Sequence, residues 1–110
     1  MITTADTLLQ NKVAIVTGGN GGIGFGIAEG LLAASCAVII AGRDRKKNES
    51  TLEKVRKTST ECKGFVFDAN SESSRENLID FALKTYGRVD ILVNNAGITR
   101  RSLEPDLLSD

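Results

Sequence analysis

Residues 12–24 read KVAIVTGGNGGIG, a short apolar run that leads directly into a loop of glycines. The apolar run, residues 12–17, is rich in β-branched side chains and stops where the glycines begin, which is typical of a buried parallel strand. A helical spacing of apolar residues starts immediately after the loop. The stretch therefore predicts a strand, a glycine loop and then a helix whose apolar face contains Ile23, Ile27, Leu31 and Ala34.

Four glycines recur at every fourth position of this segment, at Gly18, Gly22, Gly26 and Gly30. Glycine lowers the stability of a helix, so a row of glycines needs a packing reason. We expect the row to let the helix approach the sheet closely.

A second strand and a second helix follow the first pair. Residues 37–41 (AVIIA) predict another buried strand. Asp44 or Asn48 can cap a charged helix that runs to about residue 57. The thin apolar stripe of this helix consists of Leu52 and Val55.

The pattern repeats once more in the last third of the chain. Residues 62–68 (CKGFVFD) predict the third strand, and residues 90–94 (DILVN) predict the fourth. Between them, Ser73 and Glu76 form an S-x-x-E pattern that predicts a capping box, and Gly87 ends the helix. The residues expected on one face of this helix are Leu78, Phe81, Ala82 and Thr85.

Strands and helices thus alternate along the chain, as βαβαβαβ. Strands separated by helices of this length are joined by right-handed crossovers into a parallel sheet. The predicted fold class is α/β: a doubly wound parallel sheet, incomplete, with four strands and flanking helices. No linker or repeat divides residues 1–110, so we expect one domain.

Composition excludes several classes of partner. The 14 basic and 14 acidic side chains cancel, so no overall field recruits nucleic acid or an anionic membrane. No apolar stretch approaches the roughly 18 to 20 residues of a membrane span, and a cytoplasmic location is expected. Cys36 and Cys62 have no CxxC spacing and the chain has no His, which argues against a metal site and favours core thiols.

The glycine loop lies where a Rossmann unit holds a pyrophosphate. Glycines there let the backbone approach the phosphates, and the helix that follows supplies free N–H groups and a partial positive charge. A tight turn without a ligand remains the alternative, whereas a P-loop is excluded because no Lys-Ser/Thr pair follows. Two registers satisfy glycine-rich patterns, namely Gly19, Gly21 and Gly24, or Gly18, Gly22 and Gly24.

A second motif, Asn94-Asn95-Ala96-Gly97, follows the fourth strand. Together with TGGNGGIG, and in the same order and separation, it resembles the short-chain dehydrogenase/reductase family over about residues 12–101. The resemblance implies a dinucleotide site in which Gly18, Asn20 and Ile23 contact phosphates and ribose, Asp68 and Ala69 the adenine, and Asn95 the central part. The alternative for Asp68 is that it merely caps the next loop. The complete set of expected cofactor-binding residues is Gly18, Asn20, Gly22, Ile23, Gly24, Arg43, Asp68, Ala69, Asn95 and Gly97.

The end of the second strand distinguishes two cofactors. NAD-binding members of this class place an acid there to accept from the ribose 2′-OH, whereas a 2′-phosphate needs that acid absent and an Arg nearby. Here Gly42 stands in the acid's place and Arg43 follows it, so we predict NADP(H) rather than NAD. The alternative is that Arg43 belongs to a solvated cluster with Arg45, Lys46 and Lys47. Many NADP users that this chain resembles have a basic residue where it has Gly21.

The catalytic group that the resemblance implies is a Ser, a Tyr-x-x-x-Lys pair and an Asn. The only tyrosine, Tyr86, is followed four residues later by Asp90, so the pair is absent, and neither Ser102 nor Ser109 has a strand-end position. We therefore predict no catalytic and no metal-binding residues, and a chain truncated before the catalytic segment. Its fourth strand, at residues 91–93, would then be an edge strand that invites association.

The function implied is that of an NADP(H)-dependent carbonyl reductase or alcohol dehydrogenase with a small-molecule substrate, forming a homo-oligomer if complete. The sequence after Gly97 resembles both 3-oxoacyl-carrier-protein reductases and sugar or sugar-acid dehydrogenases. A non-catalytic NADP-binding module or partner-docking domain is the alternative of a different class. A methyltransferase-like domain would leave the Asn-Asn-Ala-Gly motif unexplained.

Overall fold

The computed structural model describes residues 8–18, 21–56 and 61–95. Within them the strands are all parallel and form one sheet in the order β3-β2-β1-β4, which confirms the α/β prediction. The elements are β1 (Val13–Thr17), α1 (Gly22–Ala33), β2 (Ala37–Gly42), α2 (Arg45–Val55), β3 (Cys62–Val66), α3 (Glu72–Tyr86) and β4 (Ile91–Asn94).

The helices cover both faces of the sheet. On one face, Ala28 of α1 and Leu52 and Val55 of α2 pack with buried residues of β1 and β2. On the other face, Leu78 and Ala82 of α3 pack against the alternate strand positions. Because successive strand side chains point to opposite faces, β1 and β2 are buried on both sides and read as continuous apolar runs. The fully buried strand residues are Ala14, Ile15, Val16, Val38, Ile39, Ile40 and Ala41.

The strand order reverses direction beside β1. The chain moves from β1 to β2 to β3 along one side, and α3 then carries it back across the sheet to β4 on the other side of β1. In open parallel sheets a crevice forms at this reversal, outside the carboxyl ends of the strands. Gly18, which follows β1, and Asn95, which follows β4, therefore lie at the same edge.

The caps of α2 and α3 differ in part from the expectation. Asp44 caps α2, since its Oδ1 accepts from the backbone N–H groups of Lys46 (2.9 Å) and Lys47 (3.2 Å). The predicted capping box at Ser73 is wrong, because Ser71 is the N-cap and accepts from the N–H of Ser74 at 3.1 Å. Gly87 ends α3 in the left-handed conformation, with φ 83°, as predicted.

The packing reason proposed for the glycine row is also wrong for most of it. A Cβ added to Gly26 or Gly30 would meet no atom within 4 Å, and both residues are exposed. A Cβ on Gly24 would instead overlap the carbonyl oxygen of Gly18. Close approach is therefore required at the start of α1 and not along its length.

In the described sheet β4 pairs only with β1, so it is an edge strand as predicted. Its Leu92 side chain is 59% exposed. Thr85, expected on the apolar face of α3, is exposed. The two thiols, Cys36 and Cys62, are buried and free.

No helix in the described ranges is both long and apolar enough to cross a bilayer. In that same part of the chain, no three His, Cys, Asp or Glu side chains lie close enough together to hold a metal ion.

Candidate functional site

Gly18 turns the chain away from β1 at the carboxyl edge of the sheet. Its φ of 70° lies in the left-handed region, which glycine adopts without the Cβ penalty of other residues. Its N–H donates to the carbonyl oxygen of Ala41 at 2.8 Å, so the backbone at Gly18 still lies beside β2. The backbone conformation of this position favours glycine.

Among the described residues no side chain caps the amino terminus of α1, whereas α2 and α3 are capped by Asp44 and Ser71. Gly21 is the N-cap residue of α1 but has no side chain to accept from the first N–H groups, and the first turn has no acid. Gly22 and Ile23 are exposed, and Ile23 is 76% exposed. Uncapped N–H groups and the positive end of the helix dipole together favour an anion at this point.

Thr17 and Asn95 join the end of β1 to the end of β4. The backbone N–H of Asn95 donates to the hydroxyl oxygen of Thr17 at 2.8 Å. The hydroxyl lies 3.2 Å from the carbonyl oxygen of Val93 and 3.3 Å from Oδ1 of Asn94, either of which can accept its proton. A Cβ on Gly24 would also lie 2.8 Å from Nδ2 of Asn95, so the start of α1 is in contact with this pair.

A cleft of about 330 Å³ opens beside Gly18 along the carboxyl ends of β2 and β3. Arg43 lies on it and is exposed, whereas Gly42 is buried and places no carboxylate at the strand end. The residues that bring charge or polarity to the cleft are Arg43, Asp44, Lys47, Asp68 and Asn70.

Asp68 is half-buried in this cleft and makes local contacts. Its Oδ1 accepts from the N–H of Asn70 at 2.9 Å, and its own N–H donates to Oγ of Ser74 at 2.9 Å. The loop-capping alternative for Asp68 is thus present in the structure. The same contacts hold the backbone of residues 68–70 against the cleft.

Asn48 of α2 contacts the carboxyl-terminal parts of both β2 and β3. It is 3% exposed, and its Nδ2 donates to the carbonyl oxygens of Gly42 (3.1 Å) and Phe65 (3.2 Å). The prediction that Asn48 could cap α2 missed this role. A polar residue at a position where α2 faces the sheet is the sequence signal for it, and a lone polar Thr17 at the end of a buried strand is the equivalent signal in β1.

The structure brings most of the predicted residues to one edge. Gly18, Arg43, Asp68 and Ala69 share the cleft, and Gly18 and Asn95 both adjoin Gly24 at the start of α1. Gly22 and Ile23 lie on the exposed first turn of α1 beside them. Asn20 and Gly97 lie outside the described residues.

A larger cavity, of about 660 Å³, lies at the opposite, amino-terminal edge of the sheet, where Tyr86 lines it with Lys12 and Cys36. The Tyr86 hydroxyl is buried without a hydrogen-bond partner among the described residues. Burial, and then the nearby charge of Glu61, raises the pKa of Tyr86 to about 12. The smaller cleft at the carboxyl edge is the better candidate site, because the uncapped helix and the left-handed glycine are there.

The chain belongs to the short chain dehydrogenase family, whose model matches residues 12–109. It is 40% identical over 87 residues to tropinone reductase-like 3 of Erythroxylum coca, covering 79% of this chain and 34% of that protein. It is 40% identical over 90 residues to carbonyl reductase [NADPH] 1 of Mus musculus, covering 81% of this chain and 32% of the relative.

A solved structure of an actinorhodin polyketide ketoreductase with NADPH superposes with a TM-score of 0.77 at 35% identity, covering 81% of this chain and 35% of the other. The fold class and the family predicted from the two sequence motifs are therefore confirmed. The chain spans about a third of the length of the curated relatives it matches.

Proposed function

We propose that this chain is the cofactor-binding part of an NADP(H)-dependent short-chain oxidoreductase that acts on a small-molecule carbonyl or alcohol. The observation that carries the proposal is the cleft, where Arg43 lines the same surface as Gly18 and Asp68, and no acid stands at the end of β2. The NADPH in the names of a related reductase and of a similar structure supports the same cofactor.

The residues present fit a dinucleotide in four parts. The first turn of α1 would hold the pyrophosphate through its backbone N–H groups, and the left-handed turn at Gly18 would border it. Asp68 and Ala69 would border the adenine, and Asn95 would contact the central part. Gly42 leaves room at the ribose, and Arg43 would bind the 2′-phosphate with charge-assisted hydrogen bonds. When bound, the nicotinamide supplies hydride exchange with the substrate.

The test of the cofactor assignment is titration of NADPH and NADH against the Arg43→Ala variant. Removing hydrogen bonds to a charged group, each worth roughly 1.5 to 3 kcal/mol, should weaken NADPH binding about ten- to a hundredfold. NADH affinity should hardly change because NADH has no phosphate there. Arg45→Ala is the matched control, since Arg45 lines a different cavity beyond α2.

An NADPH-to-NADH affinity ratio that is the same in Arg43→Ala and the unaltered chain would contradict the NADP assignment. A second change sharpens the test. Adding Gly42→Asp to Arg43→Ala places a carboxylate that repels the phosphate and accepts from a free 2′-OH, so the preference should reverse.

The 110 residues contain no Tyr-x-x-x-Lys, so we expect this polypeptide alone to bind NADPH without catalysing carbonyl reduction. Tyr86 lies at the opposite edge of the sheet from the proposed site and cannot serve in the missing pair. Oxidation of NADPH by the purified 110-residue chain in the presence of a carbonyl substrate is the measurement. Steady turnover would contradict this part of the proposal.

A further inference from the structure

We propose that Lys47 is a second residue that selects NADPH over NADH, acting with Arg43 on the 2′-phosphate. The inference rests on the proposed function and extends it to a residue that the sequence placed among solvated charges.

The four cations after β2 do not share one surface. Arg43 and Lys47 both line the cleft that contains Gly18 and Asp68. Arg45 lines a separate cavity of about 390 Å³ with Asn48 and Leu52. Residues two positions apart on a helix lie about 200° apart around its axis, so Arg45 and Lys47 must face different sides of α2.

The start of α2 fixes where Lys47 leaves the helix. Asp44 caps the helix, and its Oδ1 accepts from the N–H of Lys47 itself at 3.2 Å. The backbone of Lys47 is thereby held in the first turn, adjacent to the loop that carries Arg43. The Lys47 side chain is exposed and free to reach an anion at the mouth of the cleft.

The charges in the cleft explain why one cation is insufficient. Two carboxylates, Asp44 and Asp68, line it together with Arg43 and Lys47. With Arg43 alone the lining would be net negative and would repel a phosphate. The glycine loop, residues 18–24, contains no basic residue that could offset this charge. Lys47 is the cation that restores the balance at the cleft.

A lysine ammonium is a mobile point charge, whereas an arginine presents a planar fork of donors. The contribution of Lys47 should therefore be mainly electrostatic, smaller than that of Arg43 and weakened by salt. We expect Lys47→Gln to lower NADPH affinity about three- to tenfold and to change NADH affinity less than about twofold. Lys47→Arg should retain most of the preference.

The matched control is Lys46→Gln, which removes the same charge from the neighbouring exposed position. Calorimetric titration with NADPH and NADH, and with 2′,5′-ADP and 5′-AMP as fragments, should be done on each variant of the 110-residue chain at low and high salt. Of the two lysine-to-glutamine variants, only Lys47→Gln should reduce the NADPH-to-NADH and the 2′,5′-ADP-to-5′-AMP affinity ratios.

Equal losses of NADPH affinity in Lys46→Gln and Lys47→Gln would overturn the inference. The loss would then come from the lower positive charge of the surface and not from the position of Lys47 at the cleft. A reduced ratio in Arg43→Ala with an unchanged ratio in Lys47→Gln would overturn the role of Lys47 and leave the NADP assignment intact. Unchanged ratios in both Arg43→Ala and Lys47→Gln would overturn the proposed function together with this inference.

Discussion

Gly24 is the residue at which the glycine loop, the first helix and the fourth strand come together. Any Cβ there would overlap the carbonyl oxygen of Gly18, which is backbone and cannot rotate away. Gly26, one half-turn further along the same helix, has open space around it. A side chain is therefore excluded at Gly24 and has room at Gly26.

We predict opposite effects of alanine at these two positions. Gly24→Ala should lower the free energy of unfolding by about 1 to 3 kcal/mol, since the overlap must be relieved by backbone movement. Gly26→Ala should raise it by about 0.5 to 1 kcal/mol, because alanine is the better helix former. Denaturant unfolding of the two variants gives both values. Equal destabilisation by both changes would contradict the close approach at Gly24.

Because Tyr86 is partly buried, we predict that the free energy of unfolding depends on pH in the alkaline range. Burial raises the pKa of Tyr86 from 10.0 to about 12 and that of Cys62 from 9.0 to about 11. Between these pairs of values the folded state retains the two protons, whereas the unfolded state has lost them. The free energy of unfolding is therefore highest below about pH 9 and falls as the pH rises through 11 and 12. The decline should be seen in unfolding free energies measured at successive alkaline pH values.

Tyr86→Phe should remove the upper part of this decline. The variant should also unfold with a free energy equal to that of the unaltered chain or about 1 kcal/mol higher, because the buried hydroxyl it removes has no partner among the described residues. A loss of more than 1 kcal/mol at neutral pH would show that the hydroxyl is satisfied.

At the scale of elements, α2 is attached to the sheet by a polar contact as well as by its apolar stripe. Asn48 donates to the carbonyl oxygens of Gly42, the last residue of β2, and Phe65, near the end of β3, and so holds the end of β2 that leads into Arg43. Asn48 therefore supports the cleft from inside the protein.

We predict that Asn48→Ala lowers the free energy of unfolding by about 1 to 3 kcal/mol, because buried carbonyl oxygens lose a donor. NADPH affinity should fall as well, since the residues that line the cleft lose their support. Glu49→Ala, at an exposed position of the same helix, is the control and should change neither quantity appreciably. If Asn48→Ala changed the free energy of unfolding and the NADPH affinity no more than Glu49→Ala does, the supporting role of Asn48 would be contradicted.

The sequence predicted the elements well because apolar periodicity is a local signal. It predicted the α3 cap at Ser73 wrongly, since residues 71–74 (SESS) offer three serines and the choice depends on the turn at Asp68. The roles of Thr17, Gly24 and Asn48 depend on partners in other elements, up to 78 positions away for Thr17 and up to 17 positions away for Asn48. No local pattern specifies such partners.

At the scale of the whole molecule, the described sheet ends at β4 with Leu92 largely exposed. An edge strand with an exposed apolar side chain favours association. We predict that the 110-residue chain self-associates with increasing concentration in sedimentation velocity and that Leu92→Lys reduces this association. Leu8→Lys, at an exposed apolar position outside the sheet, should not. A strictly monomeric unaltered chain would contradict the prediction.

The proposed site for NADPH is the carboxyl edge of the sheet and not the larger cavity at the amino-terminal edge. The most direct measurement is an NMR titration of the nitrogen-15-labelled chain with NADPH, in which each backbone amide reports on its own surroundings. We predict that the amide signals of Gly18, Ile23, Arg43 and Asn95 shift and that those of Cys36 and Tyr86 do not. A spectrum unchanged at saturating NADPH, or shifts confined to the residues around Tyr86, would contradict this prediction.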